Sequence, residues 1–396
     1  RPRTRRRPDG AIAGRPASAR AALRLTVGEG GGVTAEKTKT EEAAAVKSAF
    51  GAENRARLID EYFAQQSEEE VVPRLAWAHV YRLLLWADQT TGLGHCYESD
   101  KSQPGKRWYA RSLAFHDWLS TALGTTPADL AKQIDWLFLR AAEDLAAYVL
   151  RQAKQVASKA ESQRVPYAGR GFPRPGEDPE LVAIFKDELS PHLGSEPSQE
   201  VWDRLVQRVR QYLSLDNKRK NLVGEGFEDV IAQVLKRTCR RDDIHIHTRR
   251  ALHDLPGFNR VRAGDKPNKV DVAVIRPEAR TLVTAKWSVR ADREKQFITD
   301  FTDYVNAESE RQPFEYVFVT NEFDPARLMR ACEQLVGNSL MFKHVVHIST
   351  DAIRATYART ADGKDDSASI RRVLQHIDDG RLISIEKWIT SIGASS

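Results

Sequence analysis

Five short runs rich in apolar and β-branched residues punctuate the second half of this chain, and they restrict its fold more than any other feature. They fall at about 244–249, 269–275, 281–288, 315–320 and 343–348. Runs of this length and composition, bounded by Gly, Pro, Asn or Asp, read as strands. Where polar alternation is missing, a strand is buried on both faces. Around them lie stretches of helical spacing at about 179–190, 197–213, 219–238, 292–309, 324–336, 350–357 and 366–378. Helices alternating with apolar strands predict an α/β fold, with a central, largely buried sheet flanked by helices.

The first half follows a different rule. Ala43 to Gln66 has helical spacing, and Leu75 to Trp86 is apolar nearly all round, as a buried helix would be. Arg107 to Leu119 follows a polar loop at 95–106, and Thr126-Pro-Ala-Asp129 predicts the start of a long helix through Leu150. No period-2 run interrupts residues 42–165, which are therefore expected to form an all-α N-terminal domain. The Pro/Gly-rich stretch from Val165 to Gly176 predicts a linker over 166–178, leaving 179–396 as the α/β domain. Its glycines suggest a phosphate cradle, but neither a preceding strand nor a following Lys-Ser/Thr supports that reading. Residues 1–41, rich in Arg, Ala, Gly and Pro, are expected to be a disordered basic arm or tail. The first methionine is Met329, which suggests an unusual start or a trimmed chain.

The net charge of +6 is weak evidence for a nucleic-acid partner once it is located. Residues 1–25 hold eight arginines against Asp9, or +7, so the other 371 residues sum to −1. A local excess remains between Lys236 and Lys269, where ten Lys/Arg face four Asp, a net of +6. No run of about 18 apolar residues occurs, so no membrane span is expected. Cys96, Cys239 and Cys332 match neither a disulfide framework nor a zinc site, and a reducing, cytoplasmic location is the expectation.

Two polar residues interrupt the apolar strands. Asp271 stands near the start of the run Val270 to Ile275, and Lys286 near the end of Leu282 to Trp287. A buried carboxylate is costly without donors or a cation beside it. Each residue alone fits a strand-end salt bridge equally well. Together, an acid on one strand and a lysine on the next are the minimum for metal-dependent phosphodiester hydrolysis. Glu228 borders the apolar stripe Phe227, Ile231, Val234 and Leu235 of a helix, with Glu225 one turn earlier as its fallback. A helix N-terminal acid favoured by the macrodipole is the plainer reading of Glu228.

This arrangement resembles the PD-(D/E)xK nuclease core, in which an acid ends one strand and (D/E)xK lies on the next. Lys269-Val270 replaces the usual Pro before Asp271, and Thr284 stands where the second acid belongs. Asp300, fourteen residues after Lys286, fills that role in the permuted arrangement of the CCGG-recognising type II restriction endonucleases, the BsaWI/AgeI/NgoMIV-like branch. Arg290, Asp292 and Arg293 match that branch's Arg-x-Asp-Arg element in order and in distance from Lys286. Arginine can donate twice to guanine O6 and N7, and Asp accepts from cytosine N4. Alternatively, Asp292 is a helix N-cap with solvated charges around it.

The resemblance implies a Mg2+-dependent type II site-specific deoxyribonuclease. Glu228, Asp271, Lys286 and Asp300 would be catalytic, and Asp271, Asp300 and the carbonyl of Ala285 would hold Mg2+. Arg290, Asp292 and Arg293 would read double-stranded DNA in a homodimer or higher symmetric oligomer. The helical N-terminal domain resembles the BsaWI type more than shorter relatives. Within its loop, His95, Cys96, Glu98 and Asp100 lack a second cluster of metal ligands, and Lys101, Lys106, Arg107 and Trp108 suit phosphate contacts or plain solvation. Two other readings stay open: a repair or structure-specific nuclease, which would not need the Arg-x-Asp-Arg element, and a catalytically silent DNA-binding protein.

Overall fold

The five apolar runs all become strands of one sheet. A computed structural model describes residues 45–87, 94, 103–106, 108–146, 163, 165–170, 179–239, 241–260, 268–289, 294–358 and 368–394. Strands β1 to β4 are His245–Ala251, Lys269–Ile275, Arg280–Lys286 and Phe314–Thr320. Strands β5 (Leu335–Val336) and β6 (Ser339–Leu340) form a separate two-stranded ribbon, and β7 (His344–His347) and β8 (Leu382–Ser384) rejoin the main sheet. Its order is β1-β2-β3-β4-β7-β8.

The sheet is mixed, and the lengths of its connections explain why. A tight turn, closed by the Arg276 amide donating to the Ala279 carbonyl at 2.9 Å, joins β2 to β3, so these strands run antiparallel. β1 is also antiparallel to β2. From β3 onward each pairing is parallel, and each connection contains a helix: Glu294–Ala307 before β4, Pro325–Glu333 before β7, and Thr350–Ala358 with Ala368–Asp378 before β8.

Helices cover both faces of the sheet. Strand alternation puts Leu282, Thr284 and Lys286 on one face with their β4 partners Tyr316, Phe318 and Thr320. Helix Glu294–Ala307 lies over that face, with Phe297 5.2 Å from Phe318 and Phe301 5.7 Å from Tyr316. The other layer meets the chain just past the strand ends. Phe227 of the long helix Gln199–Thr238 lies 5.4 Å from Trp287, Phe115 lies 5.1 Å from Phe323, and the Tyr81 hydroxyl donates to Asn321 Oδ1 at 2.8 Å. The helical block and the sheet therefore share one apolar core, and residues 45–396 form one compact unit.

Several helices depart from the spacing-based expectation. The stretches 197–213 and 219–238 are one continuous helix of 40 residues, Gln199–Thr238. No proline breaks it, and Gly226 inside it lets Leu84 and Leu137 approach closely: an added Cβ would meet Leu84 at 3.4 Å. The helix expected from Thr126 does not begin there. Thr126 Oγ1 donates to Asp129 Oδ2 at 2.8 Å in a local turn, a 3-10 turn follows at Leu130–Lys132, and Asp135 at φ 64° breaks the chain. The α-helix starts only at 136. Strand β8 and helix Ile385–Ala394 were not expected; a strand of three residues, two of them apolar, is too short to show a period.

Phe227 is fully buried where the long helix meets the sheet. Phe227→Ala should lower the unfolding free energy by about 3–5 kcal/mol in urea titrations. Leu113→Ala, at a side chain left 44% exposed, should change it by no more than about 0.5 kcal/mol. Equal losses would show that the core is not where the burial places it.

Candidate active site

The hydrogen-bond ladder between β2 and β3 stops at Val272↔Val283, although β2 goes on pairing with β1 to Lys269 and β3 with β4 to Lys286. The two strands part here, and Asp271 stands at the mouth. Its Oδ2 accepts from the Ala285 amide at 2.9 Å, the Thr284 hydroxyl at 3.3 Å and the Lys286 ammonium at 2.6 Å. The carboxylate thus replaces the lost backbone partner of Ala285, an amide that would otherwise be buried unpaired. Thr284, in the place of the expected second acid, acts as a donor that orients Asp271.

Helices on the two sides bring further carboxylates. Glu228 comes from the long helix, its side chain only 12% exposed, with Oε1 3.7 Å from Lys286 Nζ. Its Oε2 lies 3.4 Å from Arg249 of β1. Burial, reinforced by the charge of Asp271, pushes the Glu228 carboxyl up to about 7, against the opposing pull of Lys286 and Arg249. Asp300 comes from helix Glu294–Ala307 and accepts from Gln296 Nε2 at 2.7 Å. Burial raises its pKa; hydrogen bonds from Gln296 and Asn268 oppose that rise, and the charges of Asp271 and Lys286 act on it in opposite senses.

Glu228, Asp271 and Lys286 therefore meet at one mouth from one helix and two adjacent strands, and Asp300, on a second helix, lies within reach of the charges of Asp271 and Lys286. Glu225 does not join them: it pairs with Arg55 at 3.0 Å and its side chain is 69% exposed. The carbonyl of Ala285 projects to the same side of its strand as the amide that meets Asp271, because both groups of a strand residue point one way. Among the described residues no three His, Cys, Asp or Glu side chains form a ready metal cage. Arg290, Asp292 and Arg293 lie outside the described residues, as do His95, Cys96, Glu98, Asp100, Lys101 and Arg107.

Part of the basic excess between Lys236 and Lys269 is taken up in ion pairs. Arg237 pairs with Asp60 at 2.5 Å, Arg241 with Asp243 at 2.6 Å and Glu278 at 3.1 Å, and Arg249 with Glu228 and Asp229. Local net charge in the sequence therefore overstates the free positive surface. Arg249 itself carried no sequence signal, since its acidic partners lie about twenty residues earlier on another element.

No described helix is long and apolar enough to cross a membrane. The chain matches no model of a known protein family, no curated protein and no solved structure.

Glu228 makes stability depend on pH. Its pKa is 4.5 when unperturbed and about 7 in the fold, so within that window the folded chain binds more protons than the unfolded one. Stability then falls as pH rises through the window and levels off above it. Glu228→Gln removes the loss and should gain on the wild type by up to about 3 kcal/mol from acid to about pH 8, measured by urea denaturation in chelator-treated buffer. A difference constant with pH would show that the Glu228 carboxyl titrates alike in the folded and unfolded chain.

Proposed function

We propose that this protein is a Mg2+-dependent type II restriction endonuclease built on a PD-(D/E)xK core. It hydrolyses phosphodiester bonds of double-stranded DNA at a palindromic site with a CCGG core. The observation that carries this reading is the meeting of Asp271, Lys286 and Glu228 where β2 and β3 part, with Asp300 close enough to feel the charges of Asp271 and Lys286. A salt bridge alone would need one acid and one base, whereas here two carboxylates, Asp271 and Glu228, share a single lysine.

The donors suit the ion. Asp271 and Asp300 offer hard oxygen ligands, and the Ala285 carbonyl opens onto the same mouth. Mg2+ is held by one or two carboxylates, with water and phosphate oxygens completing its shell, so a cage of three side chains is not required. Asp271, Asp300 and the Ala285 carbonyl would hold it, and when bound it supplies Lewis-acid polarisation of the phosphate and a more acidic water.

The chain's own groups do the rest. Lys286, fixed on Asp271 and 33% exposed, brings a positive charge and N–H donors to the attacking water or to the charge that develops on the phosphate. Glu228, with its pKa near neutrality, faces that lysine and is matched to accepting or returning a proton at physiological pH. Arg290 and Arg293 would donate to guanine edges and Asp292 would accept from cytosine. A palindrome needs two copies of this element, hence a homodimer or higher symmetric oligomer. By the family resemblance, the products would carry 5′-phosphate overhangs.

Digestion of a plasmid of known sequence with Mg2+ should give discrete fragments whose ends map to CCGG-containing sites. Lys286→Ala and Asp271→Asn should each slow cleavage by about 10²–10⁴-fold. Arg293→Ala should lose about 1–3 kcal/mol of specific binding while non-specific binding stays the same. Random nicking would make the protein a nuclease without site choice. DNA binding without cleavage would leave a silent DNA-binding protein.

A further inference from the structure

Arg249 sits on β1 directly across from Asp271, since the flanking pairs are Thr248↔Val272 and Arg250↔Val270. Its backbone is left-handed, at φ 46°. That region is unfavourable for a residue with a Cβ and persists only where the surroundings enforce it. Here the guanidinium enforces it. Nη2 pairs with Asp229 Oδ1, and Nη1 donates to the Glu225 carbonyl at 3.3 Å and to Glu228 Oε2 at 3.4 Å.

Asp229 is itself anchored. Its Oδ2 accepts from Arg55 Nε at 2.8 Å, and Arg55 is 3% exposed and also tied to the Phe50 carbonyl at 2.8 Å. Alternating charges thus run Arg55–Asp229–Arg249–Glu228–Lys286–Asp271, from the core of the helical block to the mouth of the sheet. The two oxygens of Glu228 are divided along this chain, Oε2 toward Arg249 and Oε1 toward Lys286.

We propose that Arg249 is a positioning residue for the reaction centre: by holding Glu228 Oε2 against the Asp229–Arg55 anchor, it keeps Glu228 from closing on Lys286 and leaves that lysine on Asp271. The inference rests on the nuclease reading. Without Arg249 the nearest cation to Glu228 is Lys286, already within 3.7 Å, and a shared lysine is drawn off Asp271. Joining two carboxylates and a carbonyl requires the planar fork of arginine; the point charge of lysine cannot bridge all three.

Steady-state cleavage of a DNA substrate with Mg2+, alongside thermal melting of each variant, tests this. Arg249→Met should lower kcat by about 10–100-fold with KM within about twofold, because misplacing a reacting group costs turnover and not binding. Arg249→Lys should recover only part of the loss. Asp229→Asn, which frees the anchor but keeps the guanidinium, should lower kcat by a smaller factor. If Arg249→Met does not fold, Arg249→Lys carries the test, with kcat expected at least about fivefold down and KM unchanged. Wild-type kcat in the folded Arg249 variants would overturn the proposal. So would a rise in KM at constant kcat, which marks a DNA contact. A wild-type protein that cuts no DNA would fail the nuclease reading itself and take the proposal with it.

Discussion

The carboxylate of Asp271, lodged where β2 and β3 part, is the interaction on which the site depends. A sheet cannot stop pairing in its interior unless something satisfies the freed backbone. Asp271 does so by taking the Ala285 amide, with Thr284 and Lys286 completing its donors. The parting of the strands and the burial of the acid therefore explain each other. All three donors converge on Oδ2, so none of them uses Oδ1. That division gives the carboxylate a structural oxygen and a second one suited to the mouth.

The remaining groups arrive because helices lie on both sides of the strands. Helix Glu294–Ala307 delivers Asp300 and is fixed by aromatic contacts to β4, Phe297 on Phe318 and Phe301 on Tyr316. The long helix delivers Glu228 and is fixed by Phe227 against Trp287, with Gly226 allowing Leu84 and Leu137 to pack close. The helical block is thus part of what aims Glu228, through Leu84 and through the Arg55–Asp229 pair. Loss of packing far from the mouth would be felt as misdirection of a carboxylate within it.

Much of this was legible in the sequence, and the exceptions have physical causes. The runs holding β2, β3 and β4 were apolar enough to be strands in any context, and Asp271 and Lys286 stood out because polar residues there need a reason. Asp300, singled out by its distance from Lys286, lies on the helix over β3 and β4, where burial raises its pKa. The turn at Thr126 resembled a helix start because Thr and Asp stabilise either one, and the left-handed Asp135 that decides between them has no sequence mark. β8 was too short to show a period. Arg249 was hidden because its ion pairs are tertiary, and pairs of this kind neutralise part of the basic segment.

Binding of Mn2+, a spectroscopic stand-in for Mg2+, measured by electron paramagnetic resonance on the DNA-free protein, asks whether Asp271 holds the ion. Saturable binding is expected in the wild type, abolished by Asp271→Asn, weakened by Asp300→Asn and largely kept in Thr284→Val. Binding by Asp271→Asn at wild-type strength would contradict this expectation, because the carboxylate at the parting of the strands would then not be the group that holds the ion.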